Sequence, residues 1–149
     1  MMGILVTLVA LLLASCTCAN LDCKADDYSG RFRIVRATDN ADLVFGPQRI
    51  YDKNNIRFYT LRGTDTTYFE YMPTATGTTA PEDSVLSVQF RPKSDTAYMQ
   101  LSNGDIDTLA LSFKTYGTKC CGTITEISNF RWNNKENLPG NLGMQLLKK

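Results

Sequence analysis

Sulfur and carboxylate carry most of the chemistry available to this chain. Five cysteines stand at Cys16, Cys18, Cys23, Cys120 and Cys121. An odd count leaves one thiol to explain, and adjacent Cys120 and Cys121 can hardly bridge each other without backbone strain. Asp105 and Asp107 flank Ile106 directly after Asn103-Gly104. Closely spaced oxygens of that kind suit calcium, but the EF-hand spacing is missing and hairpin ends carry Asp for turn reasons. Asp39 and Asp42 make a weaker pair of the same type. Asp65 and Glu70 are two acids of the sort that cleave a glycosidic bond when held roughly 5–10 Å apart. Tyr51, Tyr59, Tyr68, Tyr71, Tyr98 and Trp132 offer rings for a stacking platform under a sugar or aromatic ligand, although strand tyrosines are more often half-buried structure.

The chain has no histidine. That removes the commonest general base, the Ser-His and Cys-His nucleophile pairs and most catalytic zinc sites. Carboxylates, Lys or Tyr remain as alternatives. The formal charge is +1, which gives no electrostatic argument for nucleic acid or an anionic surface. No cofactor and no metal are expected.

The front of the chain is apolar from Ile4 to Leu13, broken only by Thr7, and carries no charge before Asp22. This run is about half the roughly 20 residues that a membrane-spanning helix needs, and it ends in small residues, as the h-region of an export signal does. The stretch Leu13-Ala14-Ser15-Cys16 resembles a bacterial lipobox. The resemblance implies that Cys16 receives diacylglycerol on its sulfur, that the chain is cut before it, and that the freed amine is acylated. Stable attachment takes at least two chains, and such processing supplies three. The resemblance thus implies a signal peptide over 1–15, a lipidated tether over 16–30 and a domain over 31–149. Its implied partners are the membrane and the lipoprotein-processing enzymes. Thr17, where some inner-membrane lipoproteins carry Asp, favours the outer membrane of a bacterial envelope. Lys24-Ala25-Asp26-Asp27 loosely resembles the export signals of surface lipoproteins in Bacteroidota, and the Cys120-Cys121-Gly122 stretch resembles uncharacterised Bacteroidota lipoproteins, which implies a setting but no activity. The n-region departs from the pattern in having no Lys or Arg.

With Cys16 assigned to lipid, the disulfide candidates are an even four: Cys18, Cys23, Cys120 and Cys121. At least one bond is expected between the front pair and the Cys120-Cys121 pair; the connectivity is open. A zinc site fits badly, since ligand pairs normally read C-x₂₋₄-C and Cys120 and Cys121 are adjacent.

The rest of the chain reads as short strands between turns. Runs are expected at Arg31 to Ala37, Leu43 to Phe45, Ile56 to Leu61 and Thr66 to Met72. Others are expected at Val85 to Phe90, Thr96 to Leu101, Ile106 to Lys114 and Thr123 to Trp132, with a last strand within Gly143 to Leu147. Arg62-Gly63-Thr64-Asp65 reads as a hairpin link, and Asn103-Gly104 as a type I′ turn. Pro73 is expected to end a strand, and Thr74 to Ser84 to form a small-residue loop. In Thr123 to Trp132 the apolar residues change parity, as a bulge would produce. About eight short strands without a helical pattern predict an all-β, antiparallel β-sandwich. The expected function is non-catalytic binding or envelope scaffolding. The alternatives are a carboxylate-based hydrolase of glycan or peptide and a protein inhibitor that inserts the Thr74 to Ser84 loop.

Overall fold

A computed structural model describes residues 22–75, 84–92, 94–140 and 143–149. The signal run, Cys16, Cys18 and most of the Thr74 to Ser84 loop lie outside the described residues. Ten strands follow one another among the described residues: β1 (Ser29–Val35), β2 (Arg57–Arg62), β3 (Asp65–Tyr68), β4 (Glu70–Ala75), β5 (Ser84–Gln89), β6 (Thr96–Ser102), β7 (Asp105–Thr118), β8 (Gly122–Trp132), β9 (Glu136–Pro139) and β10 (Met144–Lys148). They form a four-stranded sheet in the order β10-β1-β5-β4 and a six-stranded sheet in the order β3-β2-β6-β7-β8-β9. This is the expected all-β, sandwich-like class. No helix occurs among the described residues, and none there is long and apolar enough to cross a membrane.

Period-two patterning makes the strands. In β1, Phe32 and Ile34 are buried while Arg31 faces out; in β6, Ala97, Met99 and Leu101 are buried between less buried neighbours. β1 lies between β5, antiparallel, and β10, which runs parallel to it from Arg31↔Met144 to Val35↔Lys148. A parallel pair cannot be closed by a tight hairpin, and the chain between the first and last strands serves as the crossover.

Four expectations change. Thr66 to Met72 is not one strand: β3 belongs to the larger sheet and β4 to the smaller one. Phe69 lies between them, buried, with its N–H on Phe58 O at 2.9 Å and its ring 5.2 Å from Phe90. Burying that ring turns the chain from one layer to the other. Pro73 therefore sits inside β4, where an edge strand tolerates a missing donor. Leu43-Val44-Phe45 is irregular, because Asp42 Oδ1 accepts the N–H groups of Val44 and Phe45 at 2.8 Å each. Such side-chain bonds compete with ladder pairing. Arg33 Nε holds the other Asp42 oxygen at 2.9 Å. Finally, Asn103-Gly104 does connect β6 and β7, but with a register shift between Gln100 and Ser102 and without positive φ. The consecutive positive φ values of a type I′ turn occur instead at Asn133 (46°) and Asn134 (57°), closed by Lys135 N–H on Trp132 O at 2.9 Å.

The chain divides into two compact units. One is Asp27–Lys114 with Thr125–Lys149. Its core is a phenylalanine cluster joining the layers. Phe32 of β1 lies 5.2 Å from Phe130 of β8, 6.2 Å from Phe58 of β2 and 6.3 Å from Phe90. Full burial of each such ring stabilises by roughly 1.5–3 kcal/mol. Gly140 donates its N–H to Ser128 O at 3.0 Å, and any Cβ there would stand 2.3 Å from Ile127 O.

The other unit is Met1–Asp26 with Thr115–Ile124. Its described part contains a Cys23–Cys121 disulfide, one of the expected front-to-back bonds, joining residues 98 apart in sequence. Cys120 is disulfide-bonded as well. The Thr118 hydroxyl accepts Cys121 N–H at 2.9 Å and donates to Gly122 O at 3.1 Å. These bonds fix the turn in which Gly122 takes φ 72°.

Candidate binding face

The six-stranded sheet buries Phe58, Met99 and Leu109 on its inner face. Alternation then puts Tyr59 and Tyr98 on the outer face, each flanked along its strand by buried residues. Strand register sets them side by side: Tyr68 of β3 opposite Tyr59 of β2, Tyr59 opposite Tyr98 of β6, and Tyr98 opposite Thr108 of β7. The Tyr59 and Tyr98 rings are stacked at 5.2 Å and 19°; Tyr68 tilts against Tyr59 at 6.0 Å and 58°. One rung along the same face, Arg57, Gln100 and Ile106 are opposed in the same way. Tyr68 is 59% exposed, and Leu61 and Ile106 on this face are about half exposed. Exposed Tyr68, Leu61 and Ile106 around the half-buried Tyr59 and Tyr98 leave apolar surface contiguous on one sheet face, which marks an interaction surface more often than scattered exposure does.

Two hollows adjoin this row. The first, about 700 Å³, is lined by Tyr51, Asp52, Asn55, Arg57, Gln100, Ser102 and Asn103, among others. The second, about 240 Å³ and mainly apolar, is lined by Ile56, Arg57, Phe58, Tyr68, Phe69 and Tyr71. Arg57 borders both. Its Nη1 donates to the carbonyls of Asn54 (2.5 Å) and Ile56 (2.8 Å), which fixes the guanidinium. The 52–55 turn is set by Asp52 Oδ1, which accepts Asn54 N–H at 2.9 Å. The Tyr71 hydroxyl donates to Lys53 O at 3.2 Å, and burial pushes its pKa up. A further hollow of about 510 Å³ lies along Val44–Asn54 and ends at Ala75, at the limit of the described residues.

Asp105 and Asp107 are not arranged as open cation ligands. Both hold the ammonium of Lys149, Asp107 at 3.0 Å. Asp105 Oδ2 also accepts the Tyr51 hydroxyl at 2.6 Å, and Asp107 Oδ1 accepts Asn133 Nδ2 at 2.6 Å. Asp107 Oδ2 has the Lys149 charge beside it but no aligned hydrogen-bond donor. Burial raises the Asp105 pKa, but the hydrogen bonds from Lys149 and Tyr51 and the Lys149 charge outweigh it, so the carboxyl titrates below its usual range. Burial, and next the bond to Asp105, push the Tyr51 hydroxyl up. The network is a structural clasp around the end of β10.

The remaining candidates separate. Asp39 accepts Ala41 N–H and pairs with Arg36, and Asp42 is committed to Arg33 and to backbone. Asp65 lies on β3 and Glu70 on β4, in different sheets. Trp132 is in the core, while Tyr51 and Tyr71 serve the loops described above. Of the six rings named as a platform, the structure brings together Tyr59, Tyr68 and Tyr98. Sequence reading missed Arg57 and Gln100, for which cross-strand register with the tyrosines was the only available signal.

The class defined by these features is an all-β domain with a tyrosine row on the outer face of one sheet, half-buried at Tyr59 and Tyr98 and exposed at Tyr68. No protein-family model, curated protein or solved structure matches the chain.

Proposed function

We propose that this chain is a lipid-anchored protein of the bacterial envelope whose β-sandwich is a non-catalytic binding domain. The anchoring half rests on the Leu13-Ala14-Ser15-Cys16 lipobox and the short apolar run before it. The binding half rests on one observation: Tyr68, Tyr59 and Tyr98 form a continuous row on the outer face of the six-stranded sheet, next to a hollow rich in hydrogen-bonding groups. On this reading lipid occupies the Cys16 sulfur, and Cys18 is the cysteine left to bond Cys120. Thr17 after the lipidated residue favours the outer membrane.

Metabolic labelling with an alkyne fatty acid tests the anchor. Wild-type protein should carry label and partition with membranes, and Cys16→Ser should do neither. An unlabelled wild type, or a mature amino terminus elsewhere than Cys16, overturns the anchor.

A further inference from the structure

We propose that the outer face of the six-stranded sheet binds an uncharged glycan chain, laid along the tyrosine row with its hydroxyls met in the adjoining hollow by Arg57 and Gln100. This inference rests on the reading of that face as a binding surface and names its ligand.

The chemistry of the face selects the ligand. A pyranose has an apolar face of C–H groups and a rim of hydroxyls, so it needs an aromatic surface beside planar hydrogen-bonding groups. Tyr68 supplies a ring that is mostly in water, and beside it the half-buried Tyr59 and Tyr98, stacked with one face each against the other, extend the aromatic surface. Gln100 and Arg57, directly opposed one rung away, supply an amide and a fixed guanidinium. Both kinds of group pair with two acceptors or donors at once. The hollow of about 700 Å³ falls in the range of roughly 300–1,000 Å³ typical of ligand sites. Charge argues against other small ligands. The hollow carries one acid, Asp52, against one cation, Arg57, which is no clustered basic site for phosphate or sulfate. Its polar lining argues against a purely apolar ligand, which would leave these groups unpaired.

The test is affinity electrophoresis of the detergent-solubilised full chain in gels containing mixed-linkage β-glucan, xylan, galactomannan or dextran. At least one of these neutral polysaccharides should retard the protein. Tyr59→Ala should weaken binding by about tenfold or more. Gln100→Glu, which changes no packing atom, should weaken it too, and both variants should keep a cooperative thermal transition. Absence of retardation by all four polysaccharides overturns the proposal. So does retardation that neither substitution changes. A concentration-dependent dimer that Tyr59→Ala dissolves overturns the glycan but leaves the face as an interface. Failure of the lipid label leaves this result untouched, because Cys16→Ser protein is run in the same gels and should bind equally.

Discussion

In the unit made of Asp27–Lys114 and Thr125–Lys149, five phenylalanine rings (Phe32, Phe58, Phe69, Phe90 and Phe130) contact one another across two layers. In the described part of the other unit, Ile124 is the one buried hydrophobic residue, and a disulfide joins Cys23 to Cys121. The first unit has area enough to hold itself together by removing apolar surface from water. The described part of the second buries little apolar surface, so its covalent link matters more to it. The two units should therefore respond to different insults, one to cavities and the other to reductant.

The largest effect should come from the phenylalanine cluster. Phe32→Ala removes the ring that touches Phe58, Phe90 and Phe130 and should cost about 3–5 kcal/mol. Urea unfolding followed by fluorescence measures this. A loss under 1 kcal/mol would mean that the cluster is not the core.

Next is the staple. Replacing both Cys23 and Cys121 with Ser removes one link between residues 98 apart; because Cys120 is disulfide-bonded as well and keeps the unfolded chain constrained, the loss should be about 2 kcal/mol, at the low end for a disulfide. Hydrogen exchange sharpens the contrast. Under native conditions amides of residues 115–124 should lose protection, while those of β2 and β6 keep theirs. Equal loss in both places would erase the distinction between the units.

Much of this contrast is visible in the residues themselves. Phe58, Ala97, Met99, Leu101, Leu109 and Leu111 alternate with more exposed neighbours, so β2, β6 and β7 follow from period two. The bond from the front cysteines to the rear pair follows from the backbone strain that a Cys120–Cys121 bridge would need. The parallel pairing of β1 with β10 does not, because nothing local links the first strand to the last. Nor does the clasp: Asp105 and Asp107 read as a possible cation site, and only the pairing that carries Lys149 to them fills their oxygens. The tyrosine row falls between these cases. All three rings were visible in the sequence, but separating them from Tyr51, Tyr71 and Trp132 required the register of three strands.

A smaller effect is expected at the clasp, and it depends on pH. Asp105 titrates below its unfolded value, so its stabilising contribution is complete above about pH 4 and is lost as pH falls through the folded pKa. Asp105→Asn should cost about 1.5 kcal/mol at neutral pH and should flatten the acid side of the stability curve. The Tyr51 pKa is raised, so its contribution is present below about pH 10 and fades as pH climbs beyond it. Tyr51→Phe should remove that alkaline slope. Thermal melts across pH test both signs, and a steeper acid limb in Asp105→Asn would reverse the assignment.

The smallest effect on stability should come from the face proposed to bind. Tyr68 lies on edge strand β3, is 59% exposed, and meets Tyr59 at 6.0 Å and 58°. A cross-strand pair of this kind contributes roughly 0.2–1 kcal/mol, so Tyr68→Ala should lower stability by less than about 1 kcal/mol. Its core counterpart Phe32→Ala should cost several times more, although both remove an aromatic ring from the same unit. That ratio separates rings that make the fold from rings that the fold displays. A loss at Tyr68 as large as that at Phe32 would mean that the tyrosine row is part of the scaffold, and the argument that it is exposed for a ligand would fail.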